Sequence, residues 1–431
     1  MVKGESSLAM LVPGGKLIVL GRLAGMAGAY LILIMLLLVA RLPWLERAVG
    51  QERLVWWHQR IAPWALWIIV GHVISITLGY AQASRVGVLR QLWVFITSYP
   101  DLLAAIVGFS LLMMAGVASI RFIRRRLRYE TWWAVHLYFY LGLALAFAHQ
   151  IVTGVTFVNH PVIRWTWEAV WAGAVGTVLV CRIGLPVVRS FRHRLRVFEV
   201  RSEAPGVFSI ICCGRHLDRL AVSGGQFFFW RFLARDLWWQ AHPYSLSALP
   251  EPPYIRVTIK AVGDQSRAVA TLRPGTPIAI EGPYGAFTHS PRAADRVVLI
   301  AAGIGVTPLR ALLEDLPDGV DVVVITRAST ADDLVLRREI AEMVRQRGGK
   351  HHEITGPRHQ VRLDARALRD IAPDIAARDW YVCGPAGFAD GIVAAAEQLG
   401  VAAEQIHREA FEFLAHKEAR IPMPAPRGDP Q

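Results

Sequence analysis

The chain has 431 residues, of which 54% are hydrophobic and 19% are charged. This composition is too apolar for one soluble domain, and the chain is too long for a membrane bundle alone, so we expect two or three domains. The formal net charge of +13 could indicate nucleic-acid binding, but the arginines cluster beside the apolar runs. Membrane topology explains that clustering better than a phosphate-binding surface does, so we expect membrane lipid and no nucleic acid as a partner.

Five apolar runs occupy the N-terminal part of the chain, and each is near the ~20 residues that a helix needs to cross a bilayer. The first run is too long for the core of a signal peptide, so we expect it to remain as a helix. The runs lie at residues 17–40, 55–80, 99–120, 132–157 and 164–188.

Arginines alternate between the two ends of these runs. They are frequent between runs one and two, between runs three and four, and after run five; the other two connections hold Arg85 and Arg90, and then Arg164. Because arginine-rich connections face the cytoplasm, the N-terminus is predicted to lie outside and the long C-terminal region inside. The predicted location is therefore the cell membrane, multi-pass, with the C-terminal module in the cytoplasm.

Two of the apolar runs carry a pair of histidines each. His58 and His72 lie fourteen residues apart in the second run, and His136 and His149 lie thirteen apart in the fourth. Both runs cross in the same direction, which pairs His58 with His136 at the inner level and His72 with His149 at the outer level. The two levels are about 20 Å apart at ~1.5 Å of rise per residue. Two stacked haems with two axial histidines each would require this pattern, whereas the alternative is four separate membrane histidines bonded to polar neighbours.

The thirteen-residue spacing fits an ideal helix less well than the fourteen-residue spacing. It turns His149 away from His136, so we expect tilt or a local distortion in the fourth run, with Gly142 as a candidate position. His160, in the outer connection, belongs to neither level and is interpreted as a surface residue.

The four cysteines show no spacing typical of metal ligands, and the two adjacent ones are poor disulfide partners. The soluble part of the chain is therefore expected to lie in a reducing cytoplasm. The cysteines are Cys181, Cys212, Cys213 and Cys383.

From residue 195 the pattern changes to short β-rich segments separated by turns, which predicts a small antiparallel barrel. Two segments within it carry chemistry. HPYS (His242–Ser245) places an aromatic ring and a hydroxyl on a strand, and KAVGDQSR (Lys260–Arg267) offers a glycine turn with a hydroxyl and two cations, which suits a pyrophosphate. Either segment alone is common in barrels, but the two in this order are a more specific signal.

After Asp295 strands and helices alternate, which predicts a parallel sheet with crossover helices. The segment GIGVTP (Gly303–Pro308) joins an apolar strand to a helix, so its backbone and the helix N-terminus can approach a phosphate. It lacks the full GxGxxG spacing. A later strand ends in YVCGP (Tyr381–Pro385), and ligands of such sheets bind beyond the carboxyl ends of the strands.

A third segment of this sheet supplies cations. Arg327, Ser329 and Arg337 follow another strand, where they can contact the 2′-phosphate of NADPH. The alternative interpretation is an ordinary solvated helix start.

These features together resemble the ferric reductase and NADPH oxidase family, in which a haem-bearing membrane bundle is fused to a ferredoxin-reductase-like flavin and nicotinamide module. The resemblance covers approximately residues 17–413. Its most specific elements are the histidine spacing, HPYS, EGPYG (Glu281–Gly285), GIGVTP and CGP.

The resemblance implies a fold class and domain boundaries. They are an all-α transmembrane helical bundle that binds two b-type haems (1–190), an antiparallel β-barrel for FAD (191–290), an α/β Rossmann-like domain for NADPH or NADH (291–413) and a disordered tail (414–431). The oxidases of this family usually have six spans, and this chain has five, the missing one being at the N-terminus.

The resemblance also implies site residues. Cys383 would lie by the nicotinamide, and Phe411, two residues after Glu409, would be a movable aromatic lid on the flavin. The residues implied for FAD are His242, Pro243, Tyr244, Ser245, Lys260, Gly263, Ser266 and Arg267. Those implied for the nicotinamide nucleotide are Gly303, Gly305, Thr307, Pro308, Arg327, Arg337, Gly384 and Pro385, and the haem-iron ligands are His58, His72, His136 and His149.

The function implied is transfer of electrons from cytoplasmic NAD(P)H through FAD and the two haems to an acceptor outside. Three acceptors stay open: ferric chelates, oxygen reduced to superoxide, and a partner protein docked outside. Ile76, four residues after His72, stands where oxygen-reducing relatives commonly have a polar side chain, so ferric chelates are favoured. The sequence identifies no protein partner.

Overall fold

The computed structural model describes residues 12–410 except residues 100, 236, 358 and 359. The chain divides into two compact units. The first takes in the residues up to Leu42 together with Gln51–Arg182, and the second takes in Pro43–Gly50 together with the residues from Ile183 onward.

The first unit is helical. Its fifth long helix continues through a π-helical turn at Val180–Gly184 into a helix of the second unit. The helices up to that point are α1 (Gly15–Leu38), α2 (Pro43–Val49, in the second unit), α3 (Gln51–Ala83), α4 (Val88–Ser98), α5 (Leu102–Ser119), α6 (Arg121–Arg124), α7 (Tyr129–Thr153), α8 (Val155–Val158), α9 (Pro161–Leu179) and α10 (Leu185–His193, in the second unit).

Five helices in the described part of the chain are long and apolar enough to cross a membrane, in agreement with the five predicted runs. Large apolar side chains point outward from them, and Trp64 and Trp67 are both 69% exposed. Such a surface suits lipid rather than water. The candidate spans are Gly15–Leu38, Arg53–Ala83, Leu102–Ser119, Thr131–Val152 and Pro161–His193.

Glycines set how closely α5 and α7 pack. A Cβ atom added to Gly142 would lie 2.8 Å from the carbonyl oxygen of Gly108, and one added to Gly108 would lie 2.7 Å from that of Gly142. The two backbones therefore touch at this point. The expected distortion at Gly142 is absent, because α7 is a regular α-helix along its whole described length. Gly142 serves close packing instead.

The second unit begins with two three-stranded antiparallel sheets, in the orders β1-β2-β5 and β4-β3-β6. Bridges between Arg196 and Pro277 and between Leu246 and Val257 connect the two sheets into a barrel. The barrel's elements are β1 (Arg196–Ala204), β2 (Val207–Cys213), β3 (Phe227–Phe232), β4 (His242–Ser245), β5 (Tyr254–Lys260), α11 (Asp264–Val269) and β6 (Ile278–Tyr284).

The core of the barrel is formed by side chains that alternate between the inside and the outside along each strand. Along β3 every second side chain is buried, so Phe228, Trp230 and Phe232 fill the interior. The sequence FFFWRF hides this alternation, because its outward residues are also mostly aromatic.

The rest of the second unit is a five-stranded parallel sheet in the order β11-β10-β7-β8-β9. Alternate residues of β7 pack under α12 and α13 on one face and under α14 and α15 on the other. Its elements are β7 (Arg296–Ala302), α12 (Val306–Asp315), β8 (Asp321–Ala328), α13 (Arg337–Gln346), β9 (Lys350–Thr355), α14 (Ala365–Ile371), β10 (Asp379–Gly384), α15 (Ala386–Gln398) and β11 (Ile406–Ala410).

An ion-pair network joins the barrel to the parallel-sheet domain. Arg256 of β5 makes two 2.7 Å bonds to Glu339 of α13, and Arg310 of α12 bonds to both Glu339 and Glu314. Burial opposes ionisation of Glu339, but the two arginines outweigh it and lower the pKa of this carboxyl. Glu314 also accepts the backbone N–H of Leu249 at 2.7 Å. The charges of the network are thus satisfied across the domain boundary.

We predict that Gly142→Ala destabilises the protein by about 1–3 kcal/mol, because the new methyl group overlaps the Gly108 carbonyl and forces α5 and α7 apart. Thermal unfolding of the detergent-purified protein measures this. Gly173→Ala in α9 is the control, since a Cβ there meets nothing within 4 Å. The control should be neutral or stabilising through helix propensity. Equal melting temperatures for the two variants would contradict the proposed contact.

Candidate functional site

The predicted outer histidine pair lies together in the structure. The ring centroids of His72 on α3 and His149 on α7 are 6.3 Å apart. An imidazole nitrogen binds a metal at about 2.0 Å, so two rings on opposite sides of one metal ion have centroids about 6 Å apart. The two rings are therefore spaced as a pair of axial ligands would be.

The backbone of α1 fixes the ring of His72. Its Nδ1 lies 2.7 Å from the carbonyl oxygen of Gly21. Because a carbonyl oxygen can only accept, Nδ1 carries the proton and Nε2 keeps its lone pair. Metal-binding histidines commonly have this arrangement, in which the second nitrogen donates to a fixed acceptor.

The predicted inner pair also lies together. His58 and His136 line one cavity, whose other walls are apolar or aromatic side chains from α1 and α7. The Nδ1 of His58 lies 3.2 Å from the carbonyl oxygen of Met35, so its Nε2 also keeps a lone pair. The remaining lining residues are Met35, Leu36, Val39, Phe139 and Tyr140. A flat apolar group with a metal at its centre fits this combination of donors and walls.

The two pairs are separate. His58 and His72 stand on one continuous helix, so fourteen residues place them about 21 Å apart along its axis. Among the described residues, no three or more His, Cys, Asp or Glu side chains come together in a way that could hold a bare metal ion. Each pair could supply two ligands to a metal whose other ligands came from a cofactor ring.

A row of glycines on α1 makes room for the outer pair, and sequence reasoning missed it. A Cβ on Gly25 would lie 2.7 Å from Nδ1 of His72, and one on Gly21 would lie 2.8 Å from Cγ1 of Ile76. Glycine at these positions lets the helix backbone reach the imidazole. The signal was present as small residues at four- and three-residue spacing, in GRLAGMAG from Gly21 to Gly28.

Arg22, a cation inside α1, was also not identified from the sequence. Arg22 donates from Nη2 to the hydroxyl of Tyr80 at 3.3 Å, which links α1 to the end of α3. An arginine within a membrane span usually faces a protein partner rather than lipid, and this one does.

The two predicted flavin segments are brought together in the barrel. A ring nitrogen of His242 on β4 lies 2.5 Å from Oε1 of Gln265, inside the KAVGDQSR segment. The ring of Tyr244 stacks against that of His242, with centroids 6.0 Å apart. Pro243 lies between them on the strand, and Ser245 is buried.

Burial keeps these two aromatic side chains neutral. It lowers the pKa of His242, against the effect of the bond to Gln265, and raises the pKa of the Tyr244 hydroxyl. The strand therefore offers an uncharged aromatic surface, which suits a stacked isoalloxazine ring.

Ser266, in the predicted pyrophosphate turn, makes its hydrogen bonds within the turn itself. The Ser266 hydroxyl accepts the backbone N–H of Val262 at 2.9 Å and of Gly263 at 2.8 Å, and it donates to the Gly263 carbonyl at 3.0 Å. It shapes the turn, so two cations remain as the residues of this segment that could contact a phosphate. Lys260, at the end of β5, and Arg267, on α11, are both exposed.

The two glycine motifs of the parallel sheet meet at the carboxyl ends of β7 and β10. A Cβ on Gly305 would lie 2.4 Å from the carbonyl oxygen of Cys383, so only glycine permits this approach. Gly303 has a φ of +57°, in the left-handed region. Gly384 is less confined, because a Cβ there would lie 3.0 Å from the side-chain ring of Phe388.

The other predicted residues of this edge surround the same point. Thr307 is buried and donates to the Ile304 carbonyl at 3.0 Å, and the buried Pro308 follows it in α12. Pro385 precedes α15. Glu409 of β11 lies beside Cys383 in the strand register. Phe411, the predicted lid, lies outside the described residues.

The two predicted 2′-phosphate arginines both contact the protein itself. Arg327 is buried in the pocket wall beside Gly303, and its guanidinium donates to the carbonyls of Ala328 and Gly356, the latter at 2.6 Å. Arg337 makes bonds of 2.7 and 2.6 Å to Glu353. A 2′-phosphate would have to compete with these partners.

Three protein-family models match successive parts of the chain. Residues 24–147 match a ferric reductase like transmembrane component. Residues 207–288 match an FAD-binding domain, and residues 299–394 match an oxidoreductase NAD-binding domain.

Curated relatives match about two fifths of the chain. An NADPH oxidoreductase from Mycobacterium tuberculosis is 28% identical over 40% of this chain and 48% of its own length. A glycine betaine monooxygenase reductase subunit from Pseudomonas aeruginosa is 28% identical over 39% and 50%. A flavohemoprotein from Deinococcus radiodurans is 29% identical over 40% and 47%. The chain spans about half the length of these relatives.

Solved structures also align with the soluble half. The FAD/NAD binding domain of nitric oxide dioxygenase from Vibrio cholerae is 23% identical, covers 51% of this chain and 98% of its own, and has a TM-score of 0.42.

The membrane-spanning candidates, the barrel and the parallel sheet thus each coincide with the match of one family model. The chain therefore has the architecture of the ferric reductase and NADPH oxidase family: a ferric-reductase-like transmembrane component joined to FAD-binding and NAD-binding oxidoreductase domains.

Proposed function

We propose that this protein is a transmembrane oxidoreductase that delivers electrons from cytoplasmic NAD(P)H to an acceptor on the opposite side of the membrane. Its resident cofactors are FAD and two b-type haems. The observation that carries the proposal is the pairing of each α3 histidine with one on α7 inside an apolar bundle, at the spacing of axial ligands for His72 and His149.

The chain's own residues place and hold the reacting groups. When bound, FAD accepts a hydride from NAD(P)H and releases single electrons, and haem iron carries single electrons. His58 and His136 would hold the inner haem, and His72 and His149 the outer one. The neutral face of Tyr244 would orient the flavin, while the backbone at Gly303 and Gly305 lets the nucleotide approach Cys383.

The arginine distribution supports the orientation. Arg121 and Arg124 lie in α6, and Arg125 and Arg126 follow it. Arg124 lies over the Trp132 ring, which stacks on His136. Positive connections tend to stay in the cytoplasm, which supports a cytoplasmic FAD and NAD(P)H module and an outer position for His72 and His149.

We propose ferric chelates as the acceptor. Ile76, one turn beyond His72, packs against Gly21, and the Thr77 hydroxyl donates to the Val73 carbonyl at 2.7 Å. Neither supplies the donor that superoxide formation favours. Exposed Arg85 and Arg90 would attract anionic chelates. Arg164, in the other outer connection, contributes less because it pairs with Glu168 at 2.8 Å.

Two other acceptors remain alternatives. Oxygen would give superoxide, and a docked partner protein would make the chain an electron-donating subunit. The outer connections 81–98 and 158–163 are short for a large docking surface, and α4 occupies much of the first one.

The haem ligands can be tested singly. We expect His72→Ala or His149→Ala to remove the outer haem, and His58→Ala or His136→Ala the inner one, each halving the reduced b-type absorbance of the purified protein. NADPH-to-FAD transfer should be intact in all four. His160→Ala is the matched control and should keep the full absorbance. Full absorbance in all four variants would show that the ligand assignment is wrong.

Nucleotide selectivity can be tested at Arg337. We expect NADPH to have the higher kcat/KM, and Arg337→Gln to reduce the NADPH/NADH ratio several-fold through loss of one charge-assisted contact. Glu353→Gln should raise that ratio, because it releases Arg337 from its carboxylate partner. A ratio unchanged in both variants would exclude Arg337 from the 2′-phosphate site.

The acceptor can be tested with the solubilised wild-type protein. We expect ferric chelate to accelerate NADPH oxidation, with most electrons recovered as ferrous iron and little signal sensitive to superoxide dismutase. Superoxide formed at the rate of total NADPH oxidation, unaffected by added ferric chelate, would instead assign oxygen as the acceptor.

A further inference from the structure

His136 differs from His58 and His72 in what holds its ring. Those two donate to backbone carbonyls, which no side-chain substitution removes. The Nδ1 of His136 lies 3.3 Å from the hydroxyl oxygen of Ser119, the last residue of α5. The Ala115 carbonyl also lies near this ring, but Ser119 is a partner of His136 that a side-chain substitution can change.

The Ser119 hydroxyl has one proton, and the distances favour the nearer of its two acceptors. Its hydroxyl donates its single proton to the Ala115 carbonyl at 2.8 Å. The same oxygen accepts the indole N–H of Trp132 at 3.2 Å. Toward His136 it can then only accept, so Nδ1 of His136 carries the proton and Nε2 keeps its lone pair. A hydroxyl thus selects the tautomer that a backbone carbonyl selects at the other two histidines.

Stacking fixes the plane of the same ring. The Trp132 ring lies 5.1 Å from that of His136 at an interplanar angle of 20°, and the Phe139 ring lies 6.2 Å away at 14°. The guanidinium of Arg124 lies over the Trp132 ring, 4.3 Å from its centroid. The imidazole is therefore held in its plane by two aromatic neighbours and in its tautomer by Ser119.

We propose that Ser119 and Trp132 are positioning residues for His136, and that together they set the reduction potential of the inner haem. The inference rests on the proposed function, because it requires His136 to be an axial ligand. A partner of the second ring nitrogen tunes the basicity of a metal-bound imidazole, and axial-ligand basicity sets the potential of haem iron. His72, a ligand of the proposed outer haem, bonds to a backbone carbonyl instead. The reduction potential of that haem should therefore not depend on Ser119 or Trp132.

The test is a spectroelectrochemical titration of the purified full-length protein, following the b-type absorbance through two transitions. Ser119→Ala should shift the midpoint of one transition and leave the other unchanged. The shifted transition should be the one lost in His58→Ala. Ser119→Thr, which keeps the hydroxyl, should restore the wild-type midpoint. Trp132→Phe, which keeps a stacked ring but loses the N–H donor, should shift the same transition.

Ser110→Ala is the matched control, because Ser110 on the same helix donates to Ile106 at 2.8 Å in the same i to i−4 geometry. Its two midpoints should be those of the wild type. If Ser119→Ala behaves like Ser110→Ala, or shifts both transitions equally, the inference is overturned. If Ser119→Ala fails to fold, Trp132→Phe tests the inference instead. It should shift only the transition that is lost in His58→Ala, whereas Ser119→Thr should keep both wild-type midpoints. Absence of b-type absorbance from the wild type would instead overturn the proposed function.

Discussion

The structure of the first unit depends on satisfying imidazoles inside an apolar bundle. A buried histidine must bond through both nitrogens or bear the cost of an unmet polar group. In α1, the Gly21 carbonyl accepts a hydrogen bond from one ring nitrogen of His72, and the Met35 carbonyl accepts one from His58. That solution requires α1 to lie against α3, which the glycines at 21 and 25 permit. The remaining nitrogens are left for a metal.

The same reasoning connects the second unit to its chemistry. Gly305 must be glycine because the carbonyl of Cys383 occupies the space of its side chain. This contact brings the glycine loop and Cys383, the residues proposed to bind the nicotinamide nucleotide, to a single edge of the sheet. The network of Arg256, Arg310 and Glu339 then holds that edge to the barrel, where His242 and Gln265 join the two flavin segments.

Much of this could be predicted from the sequence, because it rests on local pattern and spacing. The apolar runs predicted the five spans. The shared direction of the second and fourth runs predicted which histidines lie at the same depth. What could not be predicted were contacts between residues distant in sequence. Nothing in the residue spacing indicates that Ser119 bonds to His136 or that Glu353 forms an ion pair with Arg337. Nor does it indicate that the Ser266 hydroxyl makes its hydrogen bonds within its own turn. Gly142 was identified as special, but for the wrong reason, since helix packing and not distortion explains it.

The central claim is that the two histidine pairs are two haem sites. The most direct measurement is the number of b-type haems per polypeptide in the purified full-length protein, from haemochrome absorbance against protein concentration, with the spin state of the ferric form. The account predicts two haems per chain, both low-spin as expected for two axial imidazoles. One haem or none, or a high-spin ferric spectrum, would contradict it.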